Sequence, residues 1–493
     1  MLKFSKYGLL GKSFVGVVAT IMLASCSEQE DVQPAGQLEA QQAEEQPTGR
    51  VDFVEHSGSR VDEKTLDNGL RVIVKQDHRS PVVVSQVWYK VGSSYEPEGI
   101  TGVSHVLEHM MFKGTDIYGP NEVSQIIAAN GGSENAFTGH DYTAYFQQWE
   151  KSRLPLSFEI ESNRMRGLLL SEDEFVKEIE VVKEERRMRT DDNPDAWLYE
   201  QFGFEAWQTS PYGQPIIGWR KDLDSMAVAD LADWYERYYA PNNATVVVVG
   251  DVIPDEVFAL AEQWFGSLEP SEIEVNSPPP EPRFESGREK TVERAARVPS
   301  FIRGYYAPVI SADNPDDWEP YALEVLAYVL DGGQSARFEK TLVRNQQIAA
   351  SIWTSYDATT RLDGLITFGG SPSQGVSTDS LIEGLEEQLS LVRTTLVSQL
   401  ELDRVKAQLK AADVFERDSV FYQAMKIGRL VTIGLDWELE EAWLEKIAAV
   451  TPEQVMAVAQ KYLVANNATT VKLSPIESNS NDGANIGGVR DEC

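Results

Sequence analysis

The stretch "RYYAPNNATVVVV", residues 237–249, recurs as "KYLVANNATTVKL" at residues 461–473. In each copy the end of an aromatic-containing helix leads into Asn-Asn-Ala-Thr, and a run of valine or threonine follows. Runs of β-branched residues are typical of strands, and the apolar run Val246–Val249 predicts a buried one. A repeat with a period of a little over 200 residues indicates that one α+β unit has been duplicated.

We therefore expect an α+β chain of two homologous layered domains, each with a mostly antiparallel sheet flanked by helices. The proline-rich segment "SPPPEPRFESGREK", residues 277–290, predicts a linker between a first domain at 51–276 and a second at 291–475. In the first domain, Asn68-Gly69 predicts a turn between two strands. In the second, the sequence predicts a helix over residues 320–342.

Residues 1–26 resemble the signal peptide of a bacterial lipoprotein. A basic start precedes a short apolar run that ends in "LASC", so Cys26 is the predicted lipidation site. An ordinary secretory signal or a weak membrane anchor is the alternative. Ser27 after the cysteine favours the outer membrane. Residues 27–50 and 476–493 are poor in large apolar side chains, which predicts a disordered tether and a disordered tail.

The composition excludes some classes of function. The chain has 44 basic and 78 acidic residues, a formal net charge of −34, which argues against binding to nucleic acid or to an anionic membrane surface. We therefore expect membrane association through the lipid anchor only. Cys26 and Cys493 are the only cysteines, so lipidation of Cys26 leaves no intramolecular disulfide. Stability must then come from apolar cores.

Two of the five histidines, His105 and His109, stand four residues apart in "HVLEH", with Glu108 directly before the second. The pattern predicts a short helix over residues 101–112, on which these three side chains share one face. Two imidazoles at this spacing can both bind Zn²⁺. A five-residue motif also arises by chance, and a zinc hydrolase site needs a third protein ligand from another element.

A glutamate-rich helix offers that ligand. Ser171 and Glu174 stand at capping-box positions, which predicts a helix from there on. Glu178 and Glu185 lie seven residues apart, beside the apolar stripe of this helix. Most glutamates on such a helix form a solvated face, but this spacing places the pair along a half-buried edge.

These residues resemble one family. "HVLEH", the later "KEIEVVKEERRMRTDDNP", and the segments "NGGSENAFTGHDYTAY" and "SPYGQPIIG" match the inverzincin metallopeptidases, which include pitrilysin, insulin-degrading enzyme and the mitochondrial processing peptidase. The resemblance runs from about Leu66 to Leu473. It implies a two-domain half of a clamshell in which Glu185, 76 residues beyond His109, is the third zinc ligand. Glu178 is implied to orient a ligand.

The resemblance also implies an activity: a zinc-dependent endopeptidase for unfolded or small polypeptides, with one Zn²⁺ per chain. Glu108 and Glu178 are the implied catalytic residues, with Glu108 taking a proton from water and returning it to the leaving amine. The segment "NAFTGHDYTAYF", residues 135–146, predicts one strand. The family places its counterpart at an exposed edge, where the backbone of Asn135, Ala136 and Phe137 would bind an extended peptide. An ordinary core strand is the alternative.

The chain departs from the family in its second half. An arginine and a tyrosine seven residues apart normally contact the substrate there, but Val343 and Ala350 occupy those positions. We therefore expect a heterodimer with a related subunit that supplies the pair. A self-sufficient homodimer and a non-catalytic assembly subunit of a larger envelope complex are the alternatives. The expected location is the bacterial envelope, as a lipoprotein that faces the periplasm.

Overall fold

The computed structural model describes residues 60–273, 278–282 and 284–476. These residues form two β-sheets flanked by helices, as the repeat predicts. The strands of the first sheet are β1 (Val61–Thr65), β2 (Arg71–Gln76), β3 (Val82–Tyr89), β4 (Ser133–Thr138), β5 (Thr143–Glu150) and β6 (Ala244–Gly250). The strands of the second are β7 (Arg288–Ala295), β8 (Ser300–Ala307), β9 (Ala349–Tyr356), β10 (Gly364–Pro372) and β11 (Ala468–Ile476).

Fourteen α-helices of the described residues surround the sheets. The first half contains α1 (Val103–Met110), α2 (Glu122–Ala129), α3 (Leu154–Gly167), α4 (Glu172–Arg186), α5 (Pro194–Ala206), α6 (Arg220–Ser225), α7 (Val228–Tyr238) and α8 (Pro254–Phe265). The second half contains α9 (Glu319–Asp331), α10 (Thr378–Thr394), α11 (Gln399–Arg417), α12 (Val420–Thr432), α13 (Leu439–Ala449) and α14 (Pro452–Tyr462). Within the described residues, no helix is both long enough and apolar enough to cross a lipid bilayer.

Five strands of the first sheet and the five strands of the second have the same order, and β1 is an additional edge strand of the first sheet. The first runs β1-β2-β6-β3-β5-β4 and the second β7-β11-β8-β10-β9, so β2 corresponds to β7 and β4 to β9. One pair in each sheet is parallel, β2 with β6 and β7 with β11, and the other pairs are antiparallel. The repeated Asn-Asn-Ala-Thr segments lead into β6 and β11, which are interior strands. The two halves therefore share the order and direction of their strands, as the predicted duplication requires.

The prediction of a buried strand from the valine run is confirmed. Val246–Val249 have no exposed surface, as expected for an interior strand that is covered on both sides. The turn predicted at Asn68-Gly69 joins β1 to β2, and Gly69 has a φ of 89° that favours glycine.

Each half covers one face of the other half's sheet. Helix α12 of the second half packs across β6 and β3, where Ala424 and Ile427 join a core cluster with Trp88. In return, α5 of the first half packs on β11 and β8, and Phe202 joins a cluster with Ile302. Neither sheet buries both faces with its own helices alone, so the two halves depend on each other for stability.

Three predicted boundaries need correction. Strand β7 begins at Arg288, inside the predicted 277–290 linker, because this segment pairs in parallel with β11 once the prolines end. Strand β11 extends to Ile476, one residue past the predicted end of the second domain. The helix predicted over 320–342 ends at Asp331, because Gly333 takes a φ of 89° that breaks the helix. A π-helical segment follows at Glu339–Asn345.

Candidate metal centre

Helix α1 carries the His-x-x-Glu-His motif and is shorter than the predicted 101–112. It begins after Gly102, whose φ is 89° and whose Cβ position lies 2.6 Å from the carbonyl oxygen of Ile217, so only glycine fits. The free N–H groups are capped from outside the helix. Gly102 and Ser104 donate backbone hydrogen bonds to the buried carboxylate of Glu96, at 2.7 and 2.8 Å.

The fold brings His105, His109 and Glu185 together. One ligand atom from each lies within 4.8 Å of the others. Glu185 Oε2 is 3.3 Å from His109 Nε2 and 3.9 Å from His105 Nε2. Donors of a tetrahedral Zn²⁺ site are separated by roughly 3.3 Å when each bond is about 2.0–2.1 Å, so this set fits zinc both in donor type and in spacing. No other such group of three is found in the described part of the chain.

Glu185 lies near the end of helix α4, which places its carboxylate beside the two histidines. The Ser171 hydroxyl accepts a hydrogen bond from the Glu174 amide at 3.2 Å, which is the predicted N-cap. Phe175 and Val182 face the core, and Glu178 is buried beside them. The Oε1 atom of Glu185 pairs with the exposed Arg189 at 2.5 Å, which leaves Oε2 to face the imidazoles.

His109 has a defined orientation. Its Nδ1 lies 2.9 Å from Glu178 Oε1, and Lys113 Nζ lies 2.6 Å from the other oxygen of the same carboxylate. A carboxylate only accepts, so Nδ1 carries the proton and Nε2 faces Glu185. Burial lowers the pKa of His109, but the hydrogen bonds to Glu178 and Glu185 outweigh it and raise the pKa to about 9. Burial raises the pKa of Glu178, and the bonds from His109 and Lys113 bring it below the ordinary value.

His105 is held in a different way. Its side chain is buried, and its Nδ1 has no hydrogen-bond partner among the described residues. Burial, reinforced by the neighbouring His109, lowers the pKa of His105 to about 4. Its ring is therefore neutral near pH 7, which is the form that binds a metal. Burial raises the pKa of Glu185, but His109, His105 and Arg189 together lower it to about 2.

Glu108 lies on the same helix face and has one specific partner. The Thr138 hydroxyl donates a hydrogen bond of 2.6 Å to Glu108 Oε2. Burial raises the pKa of Glu108, and the Thr138 bond opposes that rise. A carboxylate with a raised pKa that keeps one oxygen free is suited to accept and return a proton.

The segment predicted as one strand, residues 135–146, is a hairpin. Strand β4 ends at Thr138, residues 139–142 turn, and β5 begins at Thr143. Asn135, Ala136 and Phe137 lie on β4 and pair with Phe146, Tyr145 and Ala144 of β5. Gly139 and Asp141 are residue types that favour turns, and the prediction of one strand gave them too little weight. Strand β4 forms one edge of its sheet, and no described strand pairs with its outer side.

Three residues that contact the site were not predicted: Glu96, Lys113 and Thr138. Thr138 directly follows the Asn135–Phe137 stretch, and Lys113 lies four residues after His109, so proximity in sequence was the only available signal. Glu96 caps α1 through a loop that no capping pattern describes.

The second half lacks the expected arginine and tyrosine, and it also lacks counterparts of Glu178 and Glu185. Val343 lies in the π-helical segment, and Ala350 is an exposed residue of the edge strand β9. Counted from their N-cap serines, Ser171 and Ser398, the places of Glu178 and Glu185 are taken by Val405 and Ala412.

Known proteins share these features. The model of the insulinase domain (peptidase family M16) matches residues 71–219, and that of the peptidase M16 inactive domain matches residues 225–409. The zinc protease PqqE of Helicobacter pylori is 31% identical over 417 residues, which cover 83% of this chain and 92% of that protein. The chain belongs to peptidase family M16. A Bacillus subtilis member, named "Uncharacterized zinc protease YmxG", is 27% identical and covers 83% of this chain and 97% of its own length.

Solved structures of bacterial proteases confirm the predicted two-domain α+β fold. A protease from Helicobacter pylori superposes with a TM-score of 0.80 at 28% identity, over 85% of this chain and all of that one. The first half of the periplasmic protease PqqL from Escherichia coli gives a TM-score of 0.70 at 19% identity, over 84% of this chain and 92% of that one. The second likeness concerns the fold alone.

Proposed function

We propose that this M16 chain is a zinc-dependent endopeptidase that cleaves unfolded or small polypeptides, with one Zn²⁺ held by His105, His109 and Glu185. The observation that carries the proposal is the convergence of two imidazole nitrogens and a remote carboxylate oxygen within 4.8 Å. When bound, zinc activates a water molecule and polarises the scissile carbonyl.

Glu108 carries out the proton transfers. Its Oε2 is held by Thr138, so Oε1 is free to take a proton from the attacking water and later to give it to the leaving amine. Glu178 touches no substrate atom in this scheme. It acts through His109, whose Nδ1 it holds, and is therefore a positioning residue rather than a proton donor.

The substrate binds as an added strand along the outer edge of β4. Backbone groups of Asn135, Ala136 and Phe137 supply hydrogen bonds to an extended peptide, and main-chain pairing carries little side-chain preference. Thr138 ends the same strand, so a peptide on this edge lies next to Glu108. This position favours flexible polypeptides, because an extended segment that is not held in a sheet of its own can pair along the edge of β4.

Metal removal tests this function. Dialysis of the protein against 1,10-phenanthroline should abolish cleavage of a mixture of internally quenched peptides, and one equivalent of Zn²⁺ should restore it. Protein that has lost its metal and still cleaves at the original rate would rule out the zinc mechanism.

We propose further that the active form is a heterodimer. Val343 and Ala350 stand where family members carry the substrate-contacting arginine and tyrosine, so a related subunit would supply that pair. The neighbouring reading frame should encode a similar chain with Arg and Tyr seven residues apart, and co-expression with it should raise peptide cleavage well above the weak activity of this chain alone. Full activity of a monomer or homodimer would support the self-sufficient alternative instead.

The envelope location rests on Cys26, which lies outside the described residues. We propose lipidation at Cys26 and attachment to the outer membrane on its periplasmic side. Labelled palmitate should be incorporated into the wild-type protein and not into C26S, and cell fractionation should find C26S in the soluble periplasm. Unchanged fractionation would contradict the anchor.

A non-catalytic role in a larger envelope complex is the alternative. An assembly subunit has no need for a metal site, whereas here Glu108, Glu178 and the three donors all stand together around one point. This convergence favours the enzyme.

A further inference from the structure

Lys113 makes a contact that the proposed chemistry does not use. It lies three residues after the end of α1, and its ammonium lies 2.6 Å from Glu178 Oε2, while Glu178 Oε1 lies 2.9 Å from His109 Nδ1. We propose that Lys113 is a positioning residue of the metal centre: it fixes the Glu178 carboxylate, which in turn fixes the His109 ring. The inference rests on the proposed zinc site.

Each of these three side chains, Lys113, Glu178 and His109, has one role in the arrangement. Glu178 has two oxygens, and the Lys113 bond holds one of them so that the other points at His109. The bond to Nδ1 fixes the tautomer and rotation of the imidazole, so Nε2 is directed toward Glu185 Oε2, 3.3 Å away. Without Lys113, the Glu178 side chain would be free to rotate, and the His109 ring would lose its fixed direction.

Burial makes the charge of Lys113 matter. The side chains of Lys113 and Glu178 are 18% and 10% exposed, so water screens this pair only partly. Glu108, Glu178 and Glu185 bring three carboxylates to one centre, and a bound Zn²⁺ would balance two of these negative charges. Lys113 balances the third from inside the protein. Arg189 also pairs with Glu185, but its side chain is 74% exposed and its charge is largely screened.

The other imidazole provides an internal contrast. His105 Nδ1 has no hydrogen-bond partner among the described residues, so packing rather than a hydrogen bond to Nδ1 holds that ring. Loss of Lys113 should therefore disturb one ligand of three. The expected effect is weaker metal binding rather than its complete loss.

The experiment measures the zinc dissociation constant directly, by competition with a chromophoric chelator, and needs no substrate. K113M should weaken binding at least tenfold, within the ten- to hundredfold range typical of residues that orient a metal ligand. K113R keeps the charge and should recover most of the affinity. K113Q replaces K113M if the methionine variant fails to fold.

Lys183 offers a matched control. Its side chain is 13% exposed and pairs with Glu180 and Asp224, but it does not contact Glu178. K183M removes two ion pairs of a lysine on α4, whose acidic partners are 68% and 48% exposed, so it should lower the unfolding temperature of the metal-free protein no more than K113M does. Its zinc affinity should stay that of the wild type.

A double variant separates positioning from general stability. If Lys113 acts through Glu178, E178A and E178A/K113M should bind zinc equally well. A tenfold further loss in the double variant, or wild-type affinity in K113M, would overturn the inference and leave the proposed function intact. If the wild-type protein binds no zinc at all, the proposed function itself fails.

Discussion

The two halves of this chain have one topology and very different chemistry. Counting back nine residues from the positive-φ glycines that follow α1 and α9, Gly114 and Gly333, places Glu324 at the position of His105. Ala327 then stands at the position of Glu108, and Tyr328 at that of His109. On the second helix of each site, Val405 and Ala412 take the places of Glu178 and Glu185.

The comparison shows that the sheet and its helices do not by themselves make a site. Val405 is fully buried and belongs to the apolar core of its half, so a position that orients a ligand in one half contributes only packing in the other. The second half has instead become part of the first half's structure, because α12 covers its sheet. We expect catalysis to depend on the first half and stability to depend on both.

The largest expected effect comes from Glu108. E108Q removes the proton acceptor but keeps the shape, so hydrolysis of quenched peptides should fall about a thousandfold. Zinc content should stay at the wild-type value. Y328F, at the place that corresponds to His109, should change neither quantity. A metal-replete E108Q that cleaves at the wild-type rate would show that Glu108 is not the proton acceptor that distinguishes the first half from the second.

The contact between the halves should have the next largest effect. Arg361 of the second half donates to Asp141 at 3.2 Å and to Ser94 at 2.8 Å, and its guanidinium lies 4.3 Å from the Tyr95 ring centre. Asp141 is buried in the turn between β4 and β5. R361A leaves this carboxylate underpaired, and we expect the free energy of unfolding in urea to fall by about 3 kcal/mol.

Asp418 provides the control for that variant. It also forms an ion pair between the halves, with Arg79 at 3.0 Å, but it is 65% exposed. D418A should lower the free energy of unfolding by less than about 1 kcal/mol. Equal losses in R361A and D418A would mean that the buried pair does not hold the halves together.

Glu324, at the place of His105, should make stability depend on pH. Burial raises its pKa from 4.5 to about 7, against the effect of the hydrogen bond from Trp443 Nε1. The folded state therefore keeps a proton that the unfolded state releases, and the free energy of unfolding falls as the pH rises from 4.5 to 7. Solvent screens part of this effect at a half-buried side chain, which leaves about 2 kcal/mol.

The variant E324Q has no titratable group at this position, so it tests the direction of the predicted pH dependence of stability. The variant should gain stability relative to the wild type when urea unfolding at pH 8 is compared with unfolding at pH 5. Parallel pH profiles for the two proteins would show that Glu324 is not the source.

Thr138 should have the smallest of these effects. Removing one hydrogen bond to a charged group by T138V should lower kcat about tenfold, because Glu108 loses its fixed orientation. KM should stay within a factor of two, and T138S should recover the wild-type rate. A rise in KM with unchanged kcat would instead indicate that Thr138 shapes the edge strand.

Local patterns predicted much of the fold. The Ser171 cap predicted the start of α4, the valine run predicted β6, and the repeated Asn-Asn-Ala-Thr segment predicted two sheets of one kind. Each of these signals depends on neighbours in sequence. For Glu185 the family resemblance was needed as well, because 76 residues separate it from His109.

The errors at α1 and at the hairpin involve contacts between distant residues, whereas the early end of α9 follows from the local Gly332-Gly333 pair. The limits of α1 depend on the loop at Ile217 and on the carboxylate of Glu96, and neither follows from helix propensity. The hairpin at residues 139–142 is fixed partly by Asp141, which binds Arg361 of the other half. Such contacts form only after the halves pack, so no local pattern contains them.

Diffraction from crystals of the zinc-loaded protein, recorded on both sides of the zinc absorption edge, tests whether His105, His109 and Glu185 bind one metal ion together. We expect one anomalous peak per chain, within about 2.0–2.3 Å of His105 Nε2, His109 Nε2 and Glu185 Oε2. A well-folded protein with no peak there, or with the Glu185 carboxylate turned away from both imidazoles, would contradict it.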